Sequence, residues 1–237
     1  DDAIHLINTM PRPFFLYIPY NAPHSPFKAP IVQPTAAVCP SYVGKPVCNS
    51  SFDGSDTPND ARCMAQWLDN EIGRLLCDVE RLRAEGEQVT VIFMGDNGTD
   101  RAVIVAPFDP AHGKSSLYQG GINVPFLINS HLVSASRQGG VIEAPVSSTD
   151  LLATVVDLAG AKPTPDPFGL RDSVSMVPYL LGEIGAQRDY VYAEEFRLNY
   201  IPNEQGRPPP GYVPKNHDQT IRDEAGHKLI RYVSGTG

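Results

Sequence analysis

Apolar residues recur every three or four positions from about residue 60 to 85, where Met64, Trp67, Leu68, Ile72, Leu75, Leu76, Val79 and Leu82 share one face. That period predicts one long amphipathic helix, capped at its start by Asn59 or Asp60 and stopped by Gly86. Residues 1–10 read as the end of another helix, and "SSTDLLATVVDLAG" as a capped helix ending at Gly160. Unbroken apolar runs mark buried strands in "RPFFLYIPY", "QVTVIFM" and the last part of "GKSSLYQGGINVPFLIN". Strands separated by helices predict an α/β fold with a mainly parallel sheet flanked by helices on both faces.

The texture changes near residue 185. "RDYVYAEEF" and "QTIRDEAGHKLIRYV" alternate apolar and polar residues, as in a small antiparallel sheet, around the proline-rich loop "IPNEQGRPPPGYVPKNH". Residues 1–185 are therefore expected to form the main α/β domain, and 186–237 the start of a small C-terminal antiparallel α+β subdomain. No internal repeat is visible.

Composition narrows the function classes. A net charge of -8 over 237 residues argues against nucleic acid, which needs a concentrated cationic surface. No apolar run approaches the length of a membrane span. Cys39 and Cys48 bracket "CPSYVGKPVC" and could close that loop as a disulfide in an oxidising compartment. Cys63 and Cys77 lie 14 residues apart on the long helix, roughly 21 Å at 1.5 Å per residue. They cannot bond each other and read as buried fillers. The acids Asp53, Asp56 and Asp60 lack the frame of a calcium loop and read as turn residues.

Candidate chemistry gathers where strands end, since ligands of open α/β sheets bind beyond the carboxyl ends of the strands. The strand 89–94 runs into Gly95-Asp96-Asn97-Gly98. Asp96 and Asn97 offer two hard oxygen donors suited to Ca²⁺ or Mg²⁺, while Asn-Gly is equally a hairpin signal. Spacing alone leaves both open. His24 sits in a proline-bounded loop after the strand 14–18, and Lys114 in a glycine-flanked loop before the strand 124–128. An imidazole and an ammonium suit a tetrahedral oxyanion, though each residue is by itself more often an ordinary surface group.

In this order, "RPFFLYIPYNAPHSPFKAP", "VIFMGDNGTD" and "GKSSLYQGGINVPFLI" resemble the downstream portion of type I sulfatases, the arylsulfatase family of the alkaline phosphatase superfamily. "ARCMAQWLDNEIGRLL", "VSSTDLLATVVDLAG" and "RDEAGHKLIRY" are similar as well. The resemblance implies an incomplete alkaline phosphatase-like sheet and a sulfuric ester hydrolase. It implies Asp96 and Asn97 as ligands of Ca²⁺, with Mg²⁺ as the alternative metal. It implies His24 and Lys114 as catalytic and substrate-binding contacts to the sulfate group of a small-molecule or glycan ester. A formylglycine nucleophile is implied within a C/S-x-P-x-R motif, and no such motif occurs in residues 1–237. "CDVER" comes nearest, with Val79 in place of proline; Asn123 stands where the family commonly has a basic residue. The chain is thus expected to be a fragment with half an active site, inactive alone, from a periplasmic or secreted parent. The alternatives are a phosphoester or phosphonate ester hydrolase of the same superfamily, or a degenerate anion-binding domain without catalysis.

Overall fold

Helix α1, Asp2–Thr9, opens the chain, followed by short strands β1, Ala37–Cys39, and β2, Tyr42–Val43. Next come the long helix α2, Pro58–Ala84, and strand β3, Val91–Met94. A four-residue helix α3, Gln119–Ile122, leads into β4, Phe126–Asn129. Helices α4, Asp150–Leu158, and α5, Val177–Leu181, precede strands β5, Tyr190–Phe196, β6, His217–Asp223, and β7, Lys228–Arg231. This computed structural model describes residues 2–28, 37–39, 42–43, 52–53, 55, 57–161, 172–183, 185–196 and 217–233.

Among the described residues every strand pairing is antiparallel, in three separate sheets: β1–β2, β3–β4 and β5–β6–β7. This overturns the expected alkaline phosphatase-like, mainly parallel sheet. The physical reason lies in the connection. Parallel neighbours need a crossover of a dozen or more residues, usually a helix packed over the sheet. Between β3 and β4 the chain forms only 3₁₀ turns at Arg101–Val103 and Pro110–His112 and the single turn of α3. It therefore returns alongside β3 in the opposite direction, pairing Val91 with Asn129 and Met94 with Phe126. Nor is this sheet covered on both faces, for the cross-strand pair Phe93 and Leu127 is exposed.

The aromatic run at 12–20 forms no strand. Its exposure still alternates residue by residue from Phe14 to Ile18, with Phe15 and Tyr17 outward. The period-two signal is genuine, but no described strand lies alongside to complete a ladder.

Of its predicted face, helix α2 buries Met64, Val79 and Leu82 and half-buries Trp67, Leu68, Ile72, Leu75 and Leu76, while Asp60, Cys63, Asn70 and Gly73, outside that face, are buried too. Its cap is Thr57 rather than Asn59 or Asp60. The Thr57 hydroxyl accepts from the Asp60 N–H at 3.2 Å, and the Asp60 carboxylate accepts from the Thr57 N–H at 2.9 Å. Together they satisfy two N-terminal donors in a reciprocal capping box. At the other end Gly86 takes a φ of 95°, a turn out of the helix that glycine adopts without strain.

Both helix cysteines, Cys63 and Cys77, are disulfide-bonded. This corrects their assignment as unpaired fillers. Helix geometry keeps them from each other, so each bond leaves the helix. The partner side chains lie outside the described residues; the chain's only other cysteines are Cys39 and Cys48. The expected closure of Cys39 on Cys48 lies outside the described residues; the backbones of β1 and β2 pack against α2. Thiol reduction is expected to remove about 2–4 kcal/mol per bond. Thermal melts with and without dithiothreitol measure it, and identical curves would contradict cross-links onto the helix.

One buried ion pair joins three segments. The Asp150 carboxylate accepts from Ser147 N at 2.8 Å, Val174 N at 2.9 Å and Arg188 Nε at 3.2 Å, and a second Arg188 nitrogen also contacts it. That guanidinium further donates to Asp172 O at 2.8 Å. The two side chains are only 3% and 15% exposed, so water contributes little.

Candidate active site

Strand β3 delivers Gly95-Asp96-Asn97-Gly98 at its carboxyl end. This is no tight hairpin, because the pairing partner of β3 is β4, more than thirty residues later. Gly95 N bonds Pro125 O at 3.0 Å and Gly98 N bonds Gly121 O at 2.9 Å, which seats the tetrapeptide against the α3 turn. The Asp96 carboxylate accepts from Asn97 N at 2.8 Å, and Asn97 Nδ2 donates to Gly98 O at 2.9 Å. With its amide nitrogen so engaged, Asn97 has its carboxamide oxygen left as the atom that could meet a cation.

The approach of the two loops is close enough to require glycine. A Cβ on Gly98 would stand 1.9 Å from Gly120 O and 2.6 Å from Gly121 Cα, both backbone atoms. Gly98→Ala is expected to cost about 3 kcal/mol through forced backbone movement. Chemical denaturation would show this, and wild-type stability would mean that the loops separate freely.

Lys114 is held from the same side. Its N–H donates to Thr99 O at 2.8 Å. The next residue, Ser115, adopts a φ of 63° in the left-handed region, where a residue with a side chain is strained. Arg101 answers that strain: Nε donates to Lys114 O at 2.8 Å and its terminal nitrogen to Ser115 O at 2.6 Å.

His24 approaches from the proline-bounded loop, anchored by the nearby buried Phe27. Its Nδ1 lies 2.5 Å from Ser25 O, and its Nε2 lies 3.3 Å from Lys114 Nζ. A carbonyl oxygen only accepts and an ammonium only donates. Nδ1 therefore carries the proton, and Nε2 turns its lone pair toward Lys114. Residues 90 apart in sequence thus meet side chain to side chain. Asp96 and Asn97 belong to the loop whose Thr99 carbonyl accepts from the Lys114 N–H.

Asp100 and Arg101 were not singled out from the sequence. The Asp100 carboxylate accepts from Ala102 N at 2.9 Å and from Ser25 Oγ at 3.1 Å. Its carboxyl is held below its ordinary pKa, chiefly by the Ala102 N–H, against partial burial; the Ser25 hydroxyl, Lys114 and His24 act in the same lowering direction. The only sequence signal was the Asx-capped turn latent in "TDRA".

The C-terminal sheet braces this loop cluster. Lys228 of β7 donates to Leu117 O and, at 3.1 Å, to Gln119 Oε1. Partial burial and then the nearby Arg222 lower the pKa of that ammonium. The Tyr232 and Tyr118 hydroxyls are 3.1 Å apart, and Tyr118 stacks on His112 at 3.7 Å between centroids.

Among the described residues no three His, Cys, Asp or Glu side chains gather to hold a metal ion. Asp96 and Asn97 suit a hard cation by their oxygen chemistry but supply two ligands where Ca²⁺ takes six to eight.

The family description "Sulfatase" matches residues 1–161 of the 237. The chain belongs to the sulfatase family. This sulfatase chain is 30% identical over 191 residues to the uncharacterized sulfatase YdeN of Escherichia coli strain K12, covering 76% of this chain and 30% of that protein. It is 28% identical over 164 residues to a sulfatase of Formosa agariphila, covering 65% and 27%. It is 29% identical over 177 residues to the N-acetylgalactosamine-6-sulfatase of Canis lupus familiaris, covering 72% and 29%. The chain thus spans under a third of the length of these curated relatives. No helix among its described residues is long and apolar enough to cross a membrane.

Proposed function

We propose that this sulfatase chain supplies the leaving-group and anion-contacting half of a sulfuric ester hydrolase. The observation that carries this is the 3.3 Å approach of Lys114 Nζ to His24 Nε2 at the end of β3. An ammonium there attracts the oxygens of a sulfate group, whose charge must be offset as the S–O bond breaks. The imidazole beside it, once Nε2 has taken up a proton, can pass that proton to the leaving oxygen. Asp96 and Asn97 would hold part of a Ca²⁺ site, and such an ion supplies Lewis-acid charge compensation when bound.

The nucleophile belongs elsewhere, since no C/S-x-P-x-R occurs in these residues. A formylglycine outside this stretch would complete the reaction in the parent, and the 237 residues alone are expected to be inactive. The disulfides at Cys63 and Cys77 support an oxidising compartment, hence a periplasmic or secreted parent. Assays of the full-length protein on a sulfate monoester and on the matching phosphate monoester and diester test the reaction class. Preferential cleavage of the sulfate supports the proposal; preference for phosphate or phosphodiester would replace it with the sister chemistry. Inactivity on all, with no nucleophile motif in the parent, would leave an anion-binding domain.

A further inference from the structure

We propose that the consecutive residues Asp100 and Arg101 form a two-way brace that positions His24 and Lys114 against each other. The inference rests on the anion-site proposal above and extends it to residues that touch no substrate.

The two side chains proposed to contact the anion sit on separate loops 90 residues apart, so something must fix their separation. The 3₁₀ turn that follows the Asp96-Asn97 loop does this with its capping residue and its first residue. Asp100 looks one way and accepts the Ser25 hydroxyl at 3.1 Å, next to His24. Arg101 looks the other way and spans the carbonyls of Lys114 and Ser115, at 2.8 and 2.6 Å. The fork geometry matters, because two carbonyls one residue apart are bridged by a planar guanidinium and not by a single ammonium. It also holds Ser115 at a φ of 63°, which a serine would otherwise leave. The carboxylate of Asp100 carries a second role, a fixed negative charge that offsets the Lys114 ammonium beside His24.

The signature of the brace is the His24 tautomer. With Lys114 held in place its ammonium faces Nε2, and the proton stays on Nδ1. Freed from Arg101, Lys114 withdraws and the tautomers mix.

The test uses the 237-residue chain, inorganic sulfate as probe, and nitrogen-15 spectra of the histidine rings. Wild type, Arg101→Ala, Arg101→Lys, Asp100→Asn and Lys114→Ala are compared, with amide spectra reporting that each folds. The Arg101 variants and Asp100→Asn are expected to bind sulfate about tenfold more weakly, as loss of a supporting contact typically causes. They should also show a mixed His24 tautomer, and Arg101→Lys should fail to rescue either readout. If Lys114→Ala loses sulfate while the Arg101 variants keep wild-type affinity and tautomer, the brace is overturned and the anion site stands. If Lys114→Ala binds sulfate like the wild type, the anion site falls and the brace with it.

Discussion

Asp150→Ala is expected to be the most destabilising single substitution described for this chain, at about 3–5 kcal/mol. Truncation removes the acceptor of Arg188 and leaves that guanidinium, mostly buried, without its counter-charge. It also orphans the N–H groups of Ser147 and Val174, which the same carboxylate satisfies. Desolvated donors without partners cost about 1–3 kcal/mol each, so the effects accumulate even after partial relaxation. For a chain of this size the loss should lower the melting temperature by about 10 °C. The double variant Asp150→Ala/Arg188→Met should recover part of it, because an apolar side chain does not demand a counter-charge. A fall below 1 kcal/mol for Asp150→Ala, measured by denaturant titration, would show that the three segments are joined by something else.

In the full-length sulfatase, Lys114→Ala is expected to lower kcat/KM for a sulfate ester about 100-fold, in line with removal of a preorganised charge-stabilising donor. Stability should hardly change, since the loop is fixed through the backbone of Lys114 and through Arg101 rather than through the ammonium. Where the loss falls identifies the role. An equal drop in kcat and kcat/KM would place the ammonium on charge that develops during S–O cleavage, and a rise in KM alone would place it on the ground-state ester. Unchanged kinetics would remove Lys114 from the site.

Local patterns were the legible part of this chain. The existence of α2 could be read from the three-and-four spacing of its apolar residues, though not which side is buried deepest, and β3 and β4 from unbroken apolar runs. Sheet direction could not be read the same way. An apolar run such as "VIFM" looks identical whether its neighbour runs with it or against it, and only the long, nearly helix-free path to β4 decides. The run at 12–20 misled for a related reason: alternation shows that a segment is extended, not that a partner is present. The bonding of Cys63 and Cys77 was hidden because a cysteine on a helix face reads the same from spacing whether it is bonded or merely buried.

At the site, His24, Asp96, Asn97 and Lys114 stood out because their residue types suit an oxyanion or a hard cation. The supports did not. Asp100 and Arg101 act on a hydroxyl and two carbonyls, groups every chain carries everywhere, so nothing in their spelling marks them. Asp150 and Arg188 are 38 residues apart, and only folding reveals that they share a buried pocket of hydrogen bonds.

The grip of Lys228 and Tyr232 on residues 117–119 has a consequence for anyone editing the protein. Trimming or tagging near position 230 amounts to handling the Lys114 loop by remote control, for β7 works as a buttress behind it. Variation in that strand is therefore a route by which the placement of Lys114 could drift while every residue of its own loop stays the same.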